Sequence, residues 1–231
     1  MVGPLGRPWA MLFDACVDFY AYRGQVVFYI SVVGPYLAFT DSIMKYITAK
    51  YTKVQFFKGF CILQIADIIR FGKIDISGFF AILFHVGIND IANLLKQDKL
   101  KYHTVHDIMY RYHAINAAVR RRNSHAILIF SAILPQAASF DLYFPLVYGL
   151  NFALEKWCAQ SSGRRVFIPT HKMFLRGGRP REELYAASDM VHPNGAGCDV
   201  LESFVQQALS PSTIRERVCS KRVAKLAALS Y

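Results

Sequence analysis

The chain is short of acidic side chains, of paired cysteines and of any long unbroken apolar run. Each shortage closes off a class of protein. Asp and Glu total 16 against 27 Lys and Arg, a formal net charge of +11. That balance favours contact with polyanions or acidic membranes and does not by itself make a site. The 5 cysteines are odd in number and contain no C-x-x-C, which argues against a disulfide framework and against a zinc knuckle. They point to a reducing, cytoplasmic setting. The most apolar stretch, residues 26–39, is broken by Ser31 and by Gly34-Pro35, so no run reaches the ~18 residues of a membrane span. Asp14, Asp18 and Arg23 interrupt what would be the apolar core of a signal peptide. Internal repeats and low-complexity segments are lacking as well.

What is present suits one α/β domain: 231 residues, 54% of them hydrophobic, enough for a sheet buried on both faces. Strand-like runs near residues 36, 54, 82, 128 and 166 alternate with helical spacing. Ile62, Ile65, Ile68 and Ile69 carry one such helix, residues 104–122 a longer one, residues 150–160 the next. This alternation predicts a five-stranded parallel sheet in the order 2-1-3-4-5 with helices on both faces. The domain is expected over residues 36–210. Residues 1–35 read as an extension of unknown role, with a helix possible over 9–22 and a strand over 26–33. Residues 211–231 read as a basic tail and a helix candidate, carrying Arg215, Arg217, Lys221, Arg222 and Lys225. Residues 136–148 read as an aromatic loop, with Phe140, Tyr143, Phe144 and Tyr148 either lining an acyl pocket or simply packing.

The chemistry gathers in four short blocks. In the last, Asp189 and His192 lie three residues apart, followed by the turn residues Pro193, Asn194 and Gly195. A carboxylate so placed accepts the imidazole Nδ1–H and leaves Nε2 to take a proton. Alone, such a pair is equally a surface histidine beside a helix cap. The first block puts Ser42 between a strand end and a helix start, where backbone N–H groups favour negative charge. Alone, Asp41 or Ser42 is an ordinary N-cap. Gly59 falls at a second strand-to-helix turn. Asn89 and Asp90 follow the most strand-like run, at the carboxyl edge where open α/β sheets bind ligands. His85, inside that run, reads as a core histidine. His103, His106 and His113 fall near one face of a helix, but no carboxylate or cysteine joins them, so neither metal nor other cofactor is expected. Together the blocks fit one mechanism: Ser42 as nucleophile, His192 as general base, Asp189 orienting it. The Ser42 N–H, the Gly59 N–H and the Asn89 amide would face the oxyanion.

In these blocks the chain resembles the SGNH, or GDSL-type, hydrolases. The matching residues are Asp41-Ser42-Ile43, Gly59, Gly87-Ile88-Asn89-Asp90 and Asp189-Met190-Val191-His192-Pro193-Asn194, in the family's order. The resemblance implies a three-layer α/β/α, flavodoxin-like fold and ester hydrolysis through a covalent acyl-serine. It does not name the substrate beyond a small-molecule ester. A looser likeness is to the esterase domains of animal retroelement-encoded proteins. The chain departs from the family at Thr40, where glycine is usual before Asp-Ser. A β-branched residue forced to positive φ would be strained, so Thr40 either keeps an ordinary conformation or displaces the turn. A G-x-S-x-G motif, the mark of the α/β-hydrolases, is absent. Two other readings stand beside the esterase: a catalytically lapsed binding module on the same fold, and a nucleic-acid-associated domain using the positive charge. Any contact with nucleic acid or acidic membrane would be weak and non-specific, since no readout motif occurs. Oligomeric state is not legible.

Overall fold

The structure, a computed structural model, describes residues 15–22, 25–32, 36–41, 52–56, 59–96, 104–161 and 163–209. Its centre is a five-stranded sheet of β3 (Tyr36–Thr40), β4 (Thr52–Phe56), β5 (Ala81–His85), β6 (Ile127–Ser131) and β7 (Arg165–Ile168). All neighbouring pairs are parallel, in the order β4-β3-β5-β6-β7. Numbered along the chain from β3, this is the expected 2-1-3-4-5. The reversal of direction at β3 puts a topological switch point between β3 and β5, the place where such sheets bind ligands.

The inner strands β3, β5 and β6 are nearly continuous apolar runs because helices cover both faces, giving three α/β/α layers. Every residue of β5 and β6 is buried. On one face Phe39, Phe84 and Phe130 stack with centroids 5.3 and 5.5 Å apart, and Tyr112 meets Phe130 edge-on at 5.7 Å. On the other face Ala38, Leu83, Ile129 and Ile168 are equally buried. The helices are α1 (Ile62–Arg70), α2 (Ile88–Lys96), α3 (Thr104–Arg122), α4 (Phe140–Ala159) and α5 (Gly195–Leu209). Helix α3 packs between α1 and α4, and α5 adds Leu201 and Val205 to the core. Each fully buried large apolar side chain contributes roughly 1.5–3 kcal/mol. No helix among the described residues is long and apolar enough to cross a membrane.

Three local expectations need correction. Residues 15–22 are not helical: β1 (Ala15–Tyr22) pairs antiparallel with β2 (Gln25–Val32). The register runs from Ala15 opposite Val32 to Tyr22 opposite Gln25, and both runs are rich in the β-branched and aromatic residue types that favour strands. Residues 136–148 are mostly not a loop, because α4 begins at Phe140 and carries Pro145 inside it. Phe140, Phe144 and Tyr148 are spaced i, i+4, and their rings lie 4.5 and 5.9 Å apart along the helix. These contacts offset part of the helical bond that Pro145 removes. Residues 88–96, given no element from sequence, form α2 directly after the Gly87 turn. Two antiparallel residues on each side, β8 (Leu175–Arg176) and β9 (Arg179–Pro180), tie off the Gly- and Arg-rich segment before Asp189.

Candidate active site

Parallel strands deliver their carboxyl ends to one edge, and the sequence blocks follow those ends. Thr40 pairs with Phe56 on one side and His85 on the other. It ends β3 in extended backbone and is not among the residues with positive φ, so the feared left-handed strain does not arise. Its hydroxyl is buried without a hydrogen-bond partner. Asp41, also buried, donates its N–H to the His85 carbonyl at 3.2 Å. Ser42 and the expected helix after it lie outside the described residues, as do His103 and the basic tail.

The Asp189–His192 pair forms as expected. Asp189 Oδ1 accepts the backbone N–H groups of Val191 and His192 at 2.9 and 3.0 Å, and Oδ2 lies 2.7 Å from His192 Nδ1. The backbone donors, the His192 N–H first, with the imidazole added, hold the Asp189 carboxyl down at about 2. An ionised carboxylate only accepts, so Nδ1 carries the proton and Nε2 is the basic nitrogen. The pair is part-exposed, at 41% for each side chain, open to a substrate. Asn194 braces the turn: its amide donates to the Glu183 and Tyr185 carbonyls at 2.9 and 3.0 Å, and its Oδ1 accepts the Gly197 N–H at 3.0 Å.

Met190, between the two, has φ 53°, and Ser139 has φ 55°; they are the two non-glycine residues with positive φ among the described residues. They meet: the Ala138 N–H donates to the Met190 carbonyl at 2.9 Å. Left-handed backbone at such residues costs on the order of 1–3 kcal/mol and gathers at functional sites. Beside this junction a cavity of about 600 Å³ is lined by Ala137, Ser139, Phe140, Leu142, Arg179 and Glu182, among others.

The Gly59 and Asn89 blocks are brought together by hydrogen bonds. Gly59 has φ +73°, open only to glycine without strain. At Gly87, φ +127°, a Cβ would lie 2.6 Å from the Tyr112 hydroxyl, which donates to the Val86 carbonyl. This turn launches α2, three residues of which stitch down the Gly59 loop. Asn89 Nδ2 donates to the Phe60 carbonyl at 3.1 Å, Asp90 Oδ2 accepts the Ile62 N–H at 3.0 Å, and Asn93 Nδ2 reaches Cys61 Sγ at 3.2 Å. An Asn amide has two N–H donors, so the bond to Phe60 orients the group and leaves one for a ligand. Arg111 Nη1 lies 2.6 Å from Oδ1 of Asp90, whose side chain is 0% exposed. Burial raises the Asp90 carboxyl; Arg111 and the Ile62 N–H pull it back only in part.

Arg111 is a residue that sequence reasoning missed. Reading α3 by its apolar stripe passes over a cation next to Tyr112, and the available signal was the Asn-Asp pair, since a buried carboxylate needs a partner. His85 is the core histidine expected. Thr170 Oγ1 donates to the Ala132 carbonyl, so Ser131 donates to Thr170 and His85 Nδ1–H donates to Ser131, at 2.9, 2.9 and 3.0 Å. Burial pushes the His85 imidazole down to about 3. His113 packs on Trp157 at 4.7 Å, and no cluster of metal-ligating side chains occurs among the described residues.

A twisted parallel sheet in this order, with its loops converging at the switch point, defines a doubly wound α/β/α protein. Solved structures narrow that class. A putative acylhydrolase from Bacteroides fragilis superposes with TM-score 0.63 at 17% identity, over 78% of this chain and 88% of that one. A GDSL-like lipase from Bacteroides thetaiotaomicron gives 0.61 at 14% identity, over 78% and 89%. The esterase domain of the ZfL2-1 retrotransposon ORF1 protein of zebrafish aligns over 75% of this chain and 97% of its own at 23% identity, but its TM-score of 0.38 is too low to bear on the fold. The chain therefore has the fold of the GDSL-type lipases and acylhydrolases. No protein-family model and no curated protein matches it.

Proposed function

We propose that the protein is a serine hydrolase of small acyl esters. Ser42 Oγ attacks the ester carbonyl carbon while His192 Nε2 takes its proton, and Asp189 steadies the imidazolium. The Ser42 N–H, the Gly59 N–H and the second Asn89 N–H stabilise the oxyanion. Collapse breaks the ester C–O bond, His192 returns the proton to the leaving alkoxide, and an acyl-serine remains. Water, deprotonated by His192, then releases the carboxylic acid and free Ser42. The cavity at the start of α4, lined by Phe140 and Leu142 together with Asp141, Arg179 and Glu182, is a candidate place for the acyl or alcohol portion of the ester.

The observation that carries this reading is the ionised Asp189 holding His192 Nδ1 at 2.7 Å, on the same sheet edge as the Asn89–Phe60 bond. The lapsed-module reading leaned on strain at Thr40, and the extended backbone there takes that support away. Turnover of a short-chain ester by the wild type, Ser42→Ala, His192→Ala and Asp189→Asn tests the assignment. Ser42→Ala and His192→Ala should each lose on the order of 10⁵–10⁶ in kcat, and Asp189→Asn roughly 10⁴. Undiminished turnover in Ser42→Ala would end it.

A further inference from the structure

The edge where the strands begin, opposite the candidate site, carries a belt of cations that the hydrolase reading does not use. The last turn of α3 holds Arg120, Arg121 and Arg122. Arg120 spans to the β7 side, donating to the Arg164 carbonyl at 2.9 Å and to the Ala126 carbonyl at 2.6 Å. Arg122 spans to the α1 side: it donates to the Arg70 carbonyl at 3.3 Å, and a side chain at Gly72 would strike its guanidinium. Arg120 thus closes carbonyls just before β6 and β7, and Arg122 closes the end of α1. These bonds draw the Arg164 and Arg70 backbone to the end of α3, and three cations on this edge, Lys73, Arg121 and Arg164, are exposed. The acidic groups of the strip are Asp67, paired with Arg70 at 3.0 Å, and Asp75, which accepts the Ser77 N–H at 2.9 Å. The cations outnumber them, and Arg164 and Arg165 crowd Arg120 closely enough to add to the effect of burial in lowering its affinity for a proton.

A second feature of the strip is apolar. Phe71, directly after α1, is 64% exposed, with the Arg70 guanidinium 4.5 Å from its ring centroid. A largely exposed ring with a guanidinium over one face and Lys73 two residues on is the arrangement that stacks an unpaired base while cations follow the phosphates. A folded protein partner would bury Phe71 in an apolar patch; here its surroundings are charged.

We infer that this strip, Arg70, Phe71, Lys73, Arg121 and Arg164, is a docking surface for single-stranded nucleic acid, with Phe71 stacking a base and the free cations reading phosphate without sequence preference. It does not rest on the proposed hydrolysis, because none of these residues lies at the other edge. The occupant is argued from charge and from the exposed ring; a duplex and an anionic lipid surface are the alternatives the test separates.

The test is fluorescence anisotropy with a labelled oligothymidylate of roughly twelve nucleotides, spanning one to a few sites of this kind. The full chain should bind at low salt and lose roughly twentyfold in affinity over a fourfold rise in salt if about three phosphates are contacted. The triple variant Lys73→Gln, Arg121→Gln, Arg164→Gln should bind roughly tenfold or more weakly and lose most of that salt dependence. Phe71→Ala should weaken the single strand roughly fivefold or more while leaving duplex binding unchanged. Arg176→Gln at the opposite edge should change neither. Failure to bind at low salt, unchanged affinity in the triple variant, or equal loss in Arg176→Gln would overturn the assignment. So would equal effects of Phe71→Ala on single strand and duplex. Binding to vesicles of phosphatidylserine and phosphatidylcholine that the triple variant abolishes, with oligothymidylate binding intact, would transfer the surface to membranes.

Discussion

The two edges of the sheet are built from the same strands and hold their polar groups in opposite ways. At the carboxyl edge the described polar side chains of the candidate site are anchored by hydrogen bonds: Asp189 to three donors, Asn194 to three partners, Asn89, Asp90 and Asn93 to the Gly59 loop. At the amino edge Arg120 closes carbonyls just before β6 and β7, Arg122 closes the end of α1, and Lys73, Arg121 and Arg164 stay exposed. One edge is pre-organised and the other is adaptable. Chemistry needs the first, since an oxyanion donor acts only when already aimed. A long polyanion needs the second.

That contrast gives substitutions of graded effect. Asn89→Ala should leave the protein folded and lower kcat for a short-chain ester by on the order of 10²–10³, with KM little changed; an unchanged kcat would remove Asn89 from the oxyanion site. Arg111→Met strands Asp90 in the core beneath that donor. It should cost about 3 kcal/mol of stability in denaturant unfolding, with Arg111→Lys recovering part of it. A loss under about 0.5 kcal/mol would mean that Asp90 is held by the Ile62 N–H alone.

A further effect appears only on acidification. His85, at about 3 when folded, lies below its unfolded value of ~6.5. As pH falls through 6.5 the unfolded chain takes up a proton that the folded chain refuses until about pH 3. Stability should therefore drop by about 1.4 kcal/mol per pH unit from this group across that window. In His85→Leu the unfolding free energy should lie lower at neutral pH, through the lost Ser131 bond, yet fall less steeply below pH ~6. Parallel curves would show that His85 is protonated in the fold.

The order of the sheet was legible because its central strands β3, β5 and β6 are nearly unbroken apolar runs, and such runs spaced by helices leave few topologies. The Asp189–His192 pair was legible because both residues sit in one turn, where local spacing decides contact. Arg111 was not: its bond to Asp90 spans 21 positions, and a helical stripe counts apolar residues only. Helix α4 was misread over residues 140–148 because Pro145 and the aromatic cluster look like a loop, while the i, i+4 stacking of Phe140, Phe144 and Tyr148 becomes visible only in space. Residues 15–22 were misread because short apolar segments with scattered polar residues fit both periods, and the strand partner β2 decided between them.

The central claim is that Ser42 is a nucleophile made reactive by His192. It is tested most directly by a fluorophosphonate, which phosphonylates an activated serine with loss of fluoride, followed by peptide mass spectrometry. One adduct on the peptide containing Ser42, absent from Ser42→Ala and strongly slowed in His192→Ala, is the result this account predicts. An adduct on another residue, or labelling of Ser42 at the same rate in His192→Ala, would contradict it.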